Sequence, residues 1–226
     1  MNLNSIDILR QILSDSAEAM LIFSYQTSRH VQSKIDMQEK NTSVLFDKAF
    51  EMKTVFRLPF WDSLMTSTFF VPDFDNQVFI EALSHTENSY YTEINCGNID
   101  YFASTLDNID ENLAAASNVK VKEGVNMHIC MIDFNIPFST NGTYVITQLL
   151  KTLKIQGYLL CSGKSYHFYG KRLMLEEEYI QFLVKLIFLS PIIDKNWIAH
   201  QLLRSQSFLR ITKKYGHFPY LVETID

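Results

Sequence analysis

Asp133 closes the apolar run NMHICMID, and Asn135 follows it two residues later. On a strand, residues i and i+2 project to one face, so the two oxygen-bearing side chains converge. That arrangement suits a hard divalent cation, since Mg²⁺ takes one or two carboxylates and leaves its other positions to water and phosphates. The same pair also suits a plain strand end turning toward Pro137. A second group lies in CSGKSYHFYG, residues 161–170. A tight turn at Gly163-Lys164 between two strands puts Ser165 and His167 on one face of the second strand. A lysine, a hydroxyl and an imidazole in line can grip a phosphate chain; a hairpin with a partly buried histidine is the simpler alternative. The third group falls in residues 192–219. Asp194 precedes a helix, where aspartate is a favoured cap. Arg204, Arg210, Lys213, Lys214 and His217 then supply five cations within 14 residues. Such a run also suits a solvated face. Arg210, however, stands between Leu209 and Ile211, and burial there demands an anion or carboxylate partner.

Other chemistries are excluded by spacing. The Ser-Gly-Lys-Ser string is not a phosphate loop, which needs four residues between its glycines, whereas five separate Gly157 from Gly163. No Gly-x-Ser-x-Gly, His-Glu-x-x-His or Gly-x-Gly-x-x-Gly is present. The three cysteines form no Cys-x-x-Cys pair, so neither a disulfide framework nor a zinc ribbon is expected. Asp73-Phe74-Asp75 repeats the acid-x-acid spacing, but its flanks read as a turn. His30, His85 and His128 lack a second ligand at regular spacing.

The net charge of −5 hides an asymmetry. Residues 1–150 hold 9 basic and 19 acidic side chains, residues 151–226 hold 11 and 6. The basic third is the one that can hold a polyanion. The N-terminus lacks a basic segment leading into an apolar one, and no apolar run approaches the roughly 20 residues of a membrane span. A soluble, cytoplasmic protein with no membrane association is expected.

The elements that must position these residues follow from periodicity. Residues 3–23 show helical spacing with a break at Ser14-Asp15, and 28–53 read as polar chain running into a helix. Aromatic and β-branched residues over 55–80 read as strand, as do residues 90–96. Residues 98–117 read as helix. The remainder reads as strand 125–134, helix 141–154, strands 156–162 and 165–170, helices 176–189 and 195–205, and strands 207–212 and 218–223. That order predicts an α+β fold, an antiparallel or mixed sheet with helices on one face. Residues 1–118 are expected to form an N-terminal α/β module and 119–226 the second module, together one compact unit.

In order and type, the three groups resemble the archaeo-eukaryotic primase (primase–polymerase) superfamily. An acid pair after an apolar strand is matched by Asp133-Phe134-Asn135. The Ser-Gly-x-x-x-His strand-turn-strand is matched by Ser162-Gly163-Lys164-Ser165-Tyr166-His167. A downstream acid and an Arg-bearing strand are matched by Asp194 and by Arg210 through Lys213 and His217. The resemblance spans about residues 120–226 and implies an RRM-like catalytic sheet. It also implies Mg²⁺ or Mn²⁺ held by Asp133, Asn135 and Asp194 as catalytic residues. A nucleoside triphosphate would be held by Ser162, Lys164, Ser165, His167, Arg210, Lys213 and His217. The polymer partner would be DNA or RNA, and the setting a larger replication or defence-type complex. The N-terminal module would help seat template or primer. The family's second acid is Asn135 here, which weakens the hold on a cation. Two functions therefore remain compatible with the resemblance: metal-dependent nucleotidyl transfer, and a catalytically degenerate primase fold acting as a nucleic-acid-binding or partner-binding scaffold.

Overall fold

The computed structural model describes residues 3–14, 17–25, 43–58, 60–70, 90–106, 112–121, 124–214 and 216–226. In chain order its elements are α1 (Ser5–Leu13), β1 (Ala17–Tyr25), α2 (Ser43–Phe56), α3 (Phe60–Ser67), β2 (Tyr90–Asn95), α4 (Ile99–Thr105), β3 (Asn112–Val121) and β4 (Asn126–Phe134). Then come α5 (Thr140–Thr152), β5 (Gly157–Cys161), β6 (Tyr166–Met174), α6 (Glu176–Leu186), α7 (Lys195–Arg204), β7 (Phe208–Arg210) and β8 (Tyr220–Ile225).

The run Ile129-Cys130-Met131-Ile132 is buried on both faces, which suits only a central strand. Accordingly β4 pairs antiparallel with β6 on one side and with β3 on the other. The sheet order is β2-β1-β3-β4-β6-β5-β8, and β7 is added on β3. β7 pairs with residues 114–116 of β3, while β4 pairs with 118–120, so the two use different lengths of that strand. Strands from before and after residue 118 thus share one sheet.

Alternation divides the apolar residues between two cores. Ile129, Met131, Leu160 and Tyr169 pack with Ile6, Leu9 and Leu13 of α1 and Ile99 of α4. Ile132, Phe134, Leu159 and Phe168 pack with Ile146 and Leu150 of α5, Leu183 and Leu186 of α6 and Ile198 of α7. α1 is closed by Asn4, whose side chain accepts from Ile6 and Asp7 while Asp7 returns a bond to the Asn4 N–H.

The chain divides into two compact units, residues 1–24 with 90–226, and residues 25–89. In the second, α2 and α3 bury Leu45, Ala49, Met52 and Leu64. No helix among the described residues is long and apolar enough to cross a membrane.

Three expectations are corrected. The helical spacing read over residues 3–23 holds only to Leu13, and Ala17–Tyr25 is a strand, its apolar residues held extended by pairing with β2. The described residues from 55 to 70 are helical rather than extended, apart from Arg57 and Leu58, and end in a single 3₁₀ turn at Thr68–Phe70. β-propensity reports fit to a pleated, half-buried surface, and here the aromatic and β-branched side chains are carried by helices. The helix expected over 98–117 ends at Thr105, and Asn112–Val121 is strand. Ala114, Ala115 and Ala116 favour helix intrinsically, but pairing with β7 and complete burial override that preference. Residues 71–80 and the Asp73–Asp75 pair lie outside the described residues, as do His30 and His85.

β5 crosses β6 so closely that Gly157 has no room for a side chain. A Cβ there would stand 2.3 Å from the Tyr169 carbonyl oxygen and 2.4 Å from the Phe168 ring. Gly157→Ala is expected to cost about 3 kcal/mol, read as a lowered denaturation midpoint at unchanged slope. An unchanged midpoint would show that the strands part more readily than their packing implies.

Candidate functional site

The ends of two central strands bring the first pair together. Asp133 on β4 is the register partner of His167 on β6. His167 Nε2 lies 3.9 Å from Asp133 Oδ1, an electrostatic contact too long for a hydrogen bond. The Asp133 side chain is 37% exposed, whereas that of His167 is 7% exposed. Buried Nδ1 of His167 makes no hydrogen bond among the described residues. Burial, then the charges of Arg210 and Lys214, pull the imidazole down to about 3, so the ring is neutral. Burial, then the charge of Asp194, push the Asp133 carboxyl up to about 7, against the pull of Lys214 and Arg210.

Asp194 reaches this place by a backbone bridge. Phe134 pairs antiparallel with Ile193, and the Asn135 N–H donates to the Ile192 carbonyl at 2.8 Å. The residue after Ile193 therefore enters the electrostatic reach of Asp133. Asp194 also caps α7, its Oδ1 accepting from the Asn196 N–H at 2.8 Å. Capping uses one carboxylate oxygen and leaves a second. Asn135 lies just past the end of β4 and is exposed.

The Ser162–Ser165 turn closes the β5–β6 hairpin. The Ser162 N–H donates to the Ser165 carbonyl at 2.9 Å, and their hydroxyls lie 3.1 Å apart. Gly163 has φ of 113°, which a side chain would strain. Lys164 is exposed at the tip. Arg210, only 9% exposed, holds this turn from β7. Its Nη2 donates to the Ser162 carbonyl and its Nη1 to the Thr212 carbonyl. Carbonyls at the turn and just past the end of its own strand thus supply acceptors where a carboxylate or anion was expected.

After β7 the chain folds back on itself. Lys214 and His217 exchange N–H···O bonds of 2.9 and 3.2 Å around Gly216. Lys213 places its Nζ 5.0 Å from the Phe218 ring centroid, while the charge of Lys214 is felt at both Asp133 and His167. Lys214 was missed as a site residue. Its only signal in the sequence was its place in the basic run after Arg210, since the strand ends at Arg210 and Thr212 is a bend.

The charges of Asp194, Arg210 and Lys214 therefore act on Asp133, those of Arg210 and Lys214 also on His167, and Arg210 ties the Ser162 turn to this group. Lys164, Lys213 and His217 are exposed residues on the turns that flank this group. No group of three or more His, Cys, Asp or Glu fit to hold a metal ion occurs among the described residues.

The α+β sheet thus carries an acid, a histidine and a buried arginine at the ends of its strands. A family model described as AEP-like, archaeo-eukaryotic primase 1D-like, matches residues 100–223, more than half of the chain, and the protein belongs to that family. That span runs from α4 to β8 and contains all the residues of the site. No match was found among curated proteins or among solved structures.

Proposed function

We propose that the domain binds a nucleoside triphosphate with a divalent cation and transfers the nucleotide to a DNA or RNA end, within a larger replication or defence-type assembly. The observation that carries this reading is the Phe134–Ile193 bridge, which brings Asp194 near enough to Asp133 that its charge adds to burial in pushing the Asp133 carboxyl up. Like-charged pairs of this kind gain most from a shared cation. The donor set fits one Mg²⁺ or Mn²⁺ held by Asp133 and the second oxygen of Asp194, with Asn135 as a weaker oxygen donor and the remaining positions left to water and phosphate. When bound, the cation would neutralise charge on the triphosphate and on the oxygens between which the nucleotide passes.

The other groups act through position and charge. His167, neutral, offers a phosphate oxygen an N–H from a fixed ring without adding charge. Lys214 and Lys164 bring positive charge from two turns, with Ser165 as hydroxyl donor. Arg210 does not reach outward; it fixes the Ser162 carbonyl and so the shape of the turn. Such positioning and electrostatic work is most of what phosphoryl-type transfer asks of a protein.

The second reading, a degenerate primase fold serving as scaffold, is favoured by Asn135 standing where a carboxylate is expected. Calorimetry separates the two. Mn²⁺ with a nucleoside triphosphate is expected to bind the wild-type protein, and Asp133→Ala to weaken that binding at least about tenfold. Absence of heat from the wild-type protein would leave the scaffold reading; DNA affinity that is salt-dependent and indifferent to Asp133→Ala would mark a nucleic-acid-binding module without chemistry.

A further inference from the structure

Past the end of β4, Phe138 holds its ring at the rim of the site, 40% exposed. The ring packs against Tyr166 at 5.3 Å and Tyr220 at 6.4 Å, the latter nearly edge-on. The segment carrying it is clamped. The Phe138 N–H donates to the Lys164 carbonyl at 2.8 Å. Tyr166 Oη accepts from the Ser139 N–H at 2.9 Å and donates to the Ser139 carbonyl at 2.7 Å. A side chain at Gly142 would stand 2.8 Å from both the Pro137 carbonyl oxygen and Tyr166 Oη, so helix α5 also closes on this loop.

The ring is therefore partly open to solvent, packed against two tyrosine rings, and fastened through its own backbone to the Ser162–Ser165 turn. Exposed polar and charged residues adjoin it along the chain and across the turn: Asn135, Ser139, Thr140 and Lys164. A broad protein interface would ask for a wider apolar area. A flat π-system whose charged part lies on the neighbouring turn asks for this combination, one aromatic face beside one cationic turn.

We propose that Phe138 is a stacking platform for a nucleobase, either that of the bound nucleoside triphosphate or that of a nucleic-acid strand at the site. The inference rests on the nucleotide-binding reading of the Ser162–His167 turn and adds to it the subsite for the base. Stacking on an aromatic side chain tolerates all four bases, so Phe138 contributes affinity and orientation with little sequence preference.

The test measures, in Mn²⁺, the affinities of inorganic tripolyphosphate, a nucleoside triphosphate and a short oligo-dT for the wild-type protein, Phe138→Leu and Phe138→Trp. Leucine keeps the apolar bulk and removes the π-face; tryptophan enlarges that face. If the nucleotide supplies the base, Phe138→Leu weakens the triphosphate nucleoside about tenfold, leaves tripolyphosphate unchanged, and Phe138→Trp restores binding. If the strand supplies it, oligo-dT alone loses affinity. Equal affinities for wild type and Phe138→Leu across all three ligands, or equal losses that include tripolyphosphate, would overturn the stacking role while leaving nucleotide binding intact. A wild-type protein that binds none of the three would overturn the nucleotide-binding reading and the base subsite with it.

Discussion

Asp133→Asn is expected to raise stability at pH 8 and to leave it unchanged near pH 4, while abolishing stabilisation by Mn²⁺. The sign follows from a carboxyl pushed up to about 7 in the folded protein, against about 3.8 when unperturbed. Between those values the folded state holds a proton that the unfolded chain has released. Stability from this group is thus full below about pH 4 and declines as pH rises to 7. Asparagine never ionises, so it escapes that cost. Three pKa units would amount to about 4 kcal/mol. The side chain is over one-third exposed, however, and solvent screening reduces the expected gain to about 1–2 kcal/mol. His167 has the opposite slope: its pKa falls to about 3, so its contribution is full above about 6.5 and is lost as pH falls from there. Comparing wild type with Asp133→Asn across pH isolates the carboxyl. A cation on ionised Asp133 reverses the balance, adding about 2.7 kcal/mol at a hundredfold excess over its Kd, and only in wild type. Urea titrations at pH 4 and pH 8, with and without Mn²⁺, read both effects. An Asp133→Asn protein less stable than wild type at pH 8 would mean that the carboxylate is satisfied by its surroundings.

Arg210→Met carries the second large effect, on stability and binding together. Methionine fills much of the volume but withdraws two charged donors from the buried Ser162 and Thr212 carbonyls. Leaving both unsatisfied costs about 2–4 kcal/mol, a fall of roughly 10 °C in Tm for a chain of this size. Because Ser162 opens the turn proposed to grip phosphate, nucleotide affinity is expected to fall at least about tenfold under conditions where the variant remains folded. Lysine keeps charge without the planar fork and should recover only part of either loss. A variant with wild-type Tm and weakened binding would show that Arg210 serves the ligand rather than the turn. A lowered Tm with unchanged affinity would show that the turn holds its shape without it.

Both effects arise where separate parts of the chain meet, which is also where sequence and structure diverge. The β4, β5 and β6 strands were legible because their apolar runs are short and bounded, and the β5–β6 turn because Gly163-Lys164 punctuates two such runs. The identity of Asp194 as a helix cap was equally legible, since capping depends on neighbours in sequence. β3 was not legible: three consecutive alanines carry a helical preference that only cross-strand pairing outweighs. The helices within residues 55–70 were hidden by aromatic residues that read equally well as strand.

The sequence by itself determined which residues could do chemistry and the order of the elements from β4 onward, because local spacing sets side-chain direction along a strand or helix. Only the tertiary structure decided which of those residues act on one another. The bridge between Phe134 and Ile193 brings Asp194 to Asp133, and the pairing of β7 with β3 brings Arg210 to Ser162. It also distinguished Lys214 from Lys213 and placed Phe138 against the turn. Charge coupling and desolvation depend on distance through space, and no spacing along a chain encodes that distance until the sheet has closed.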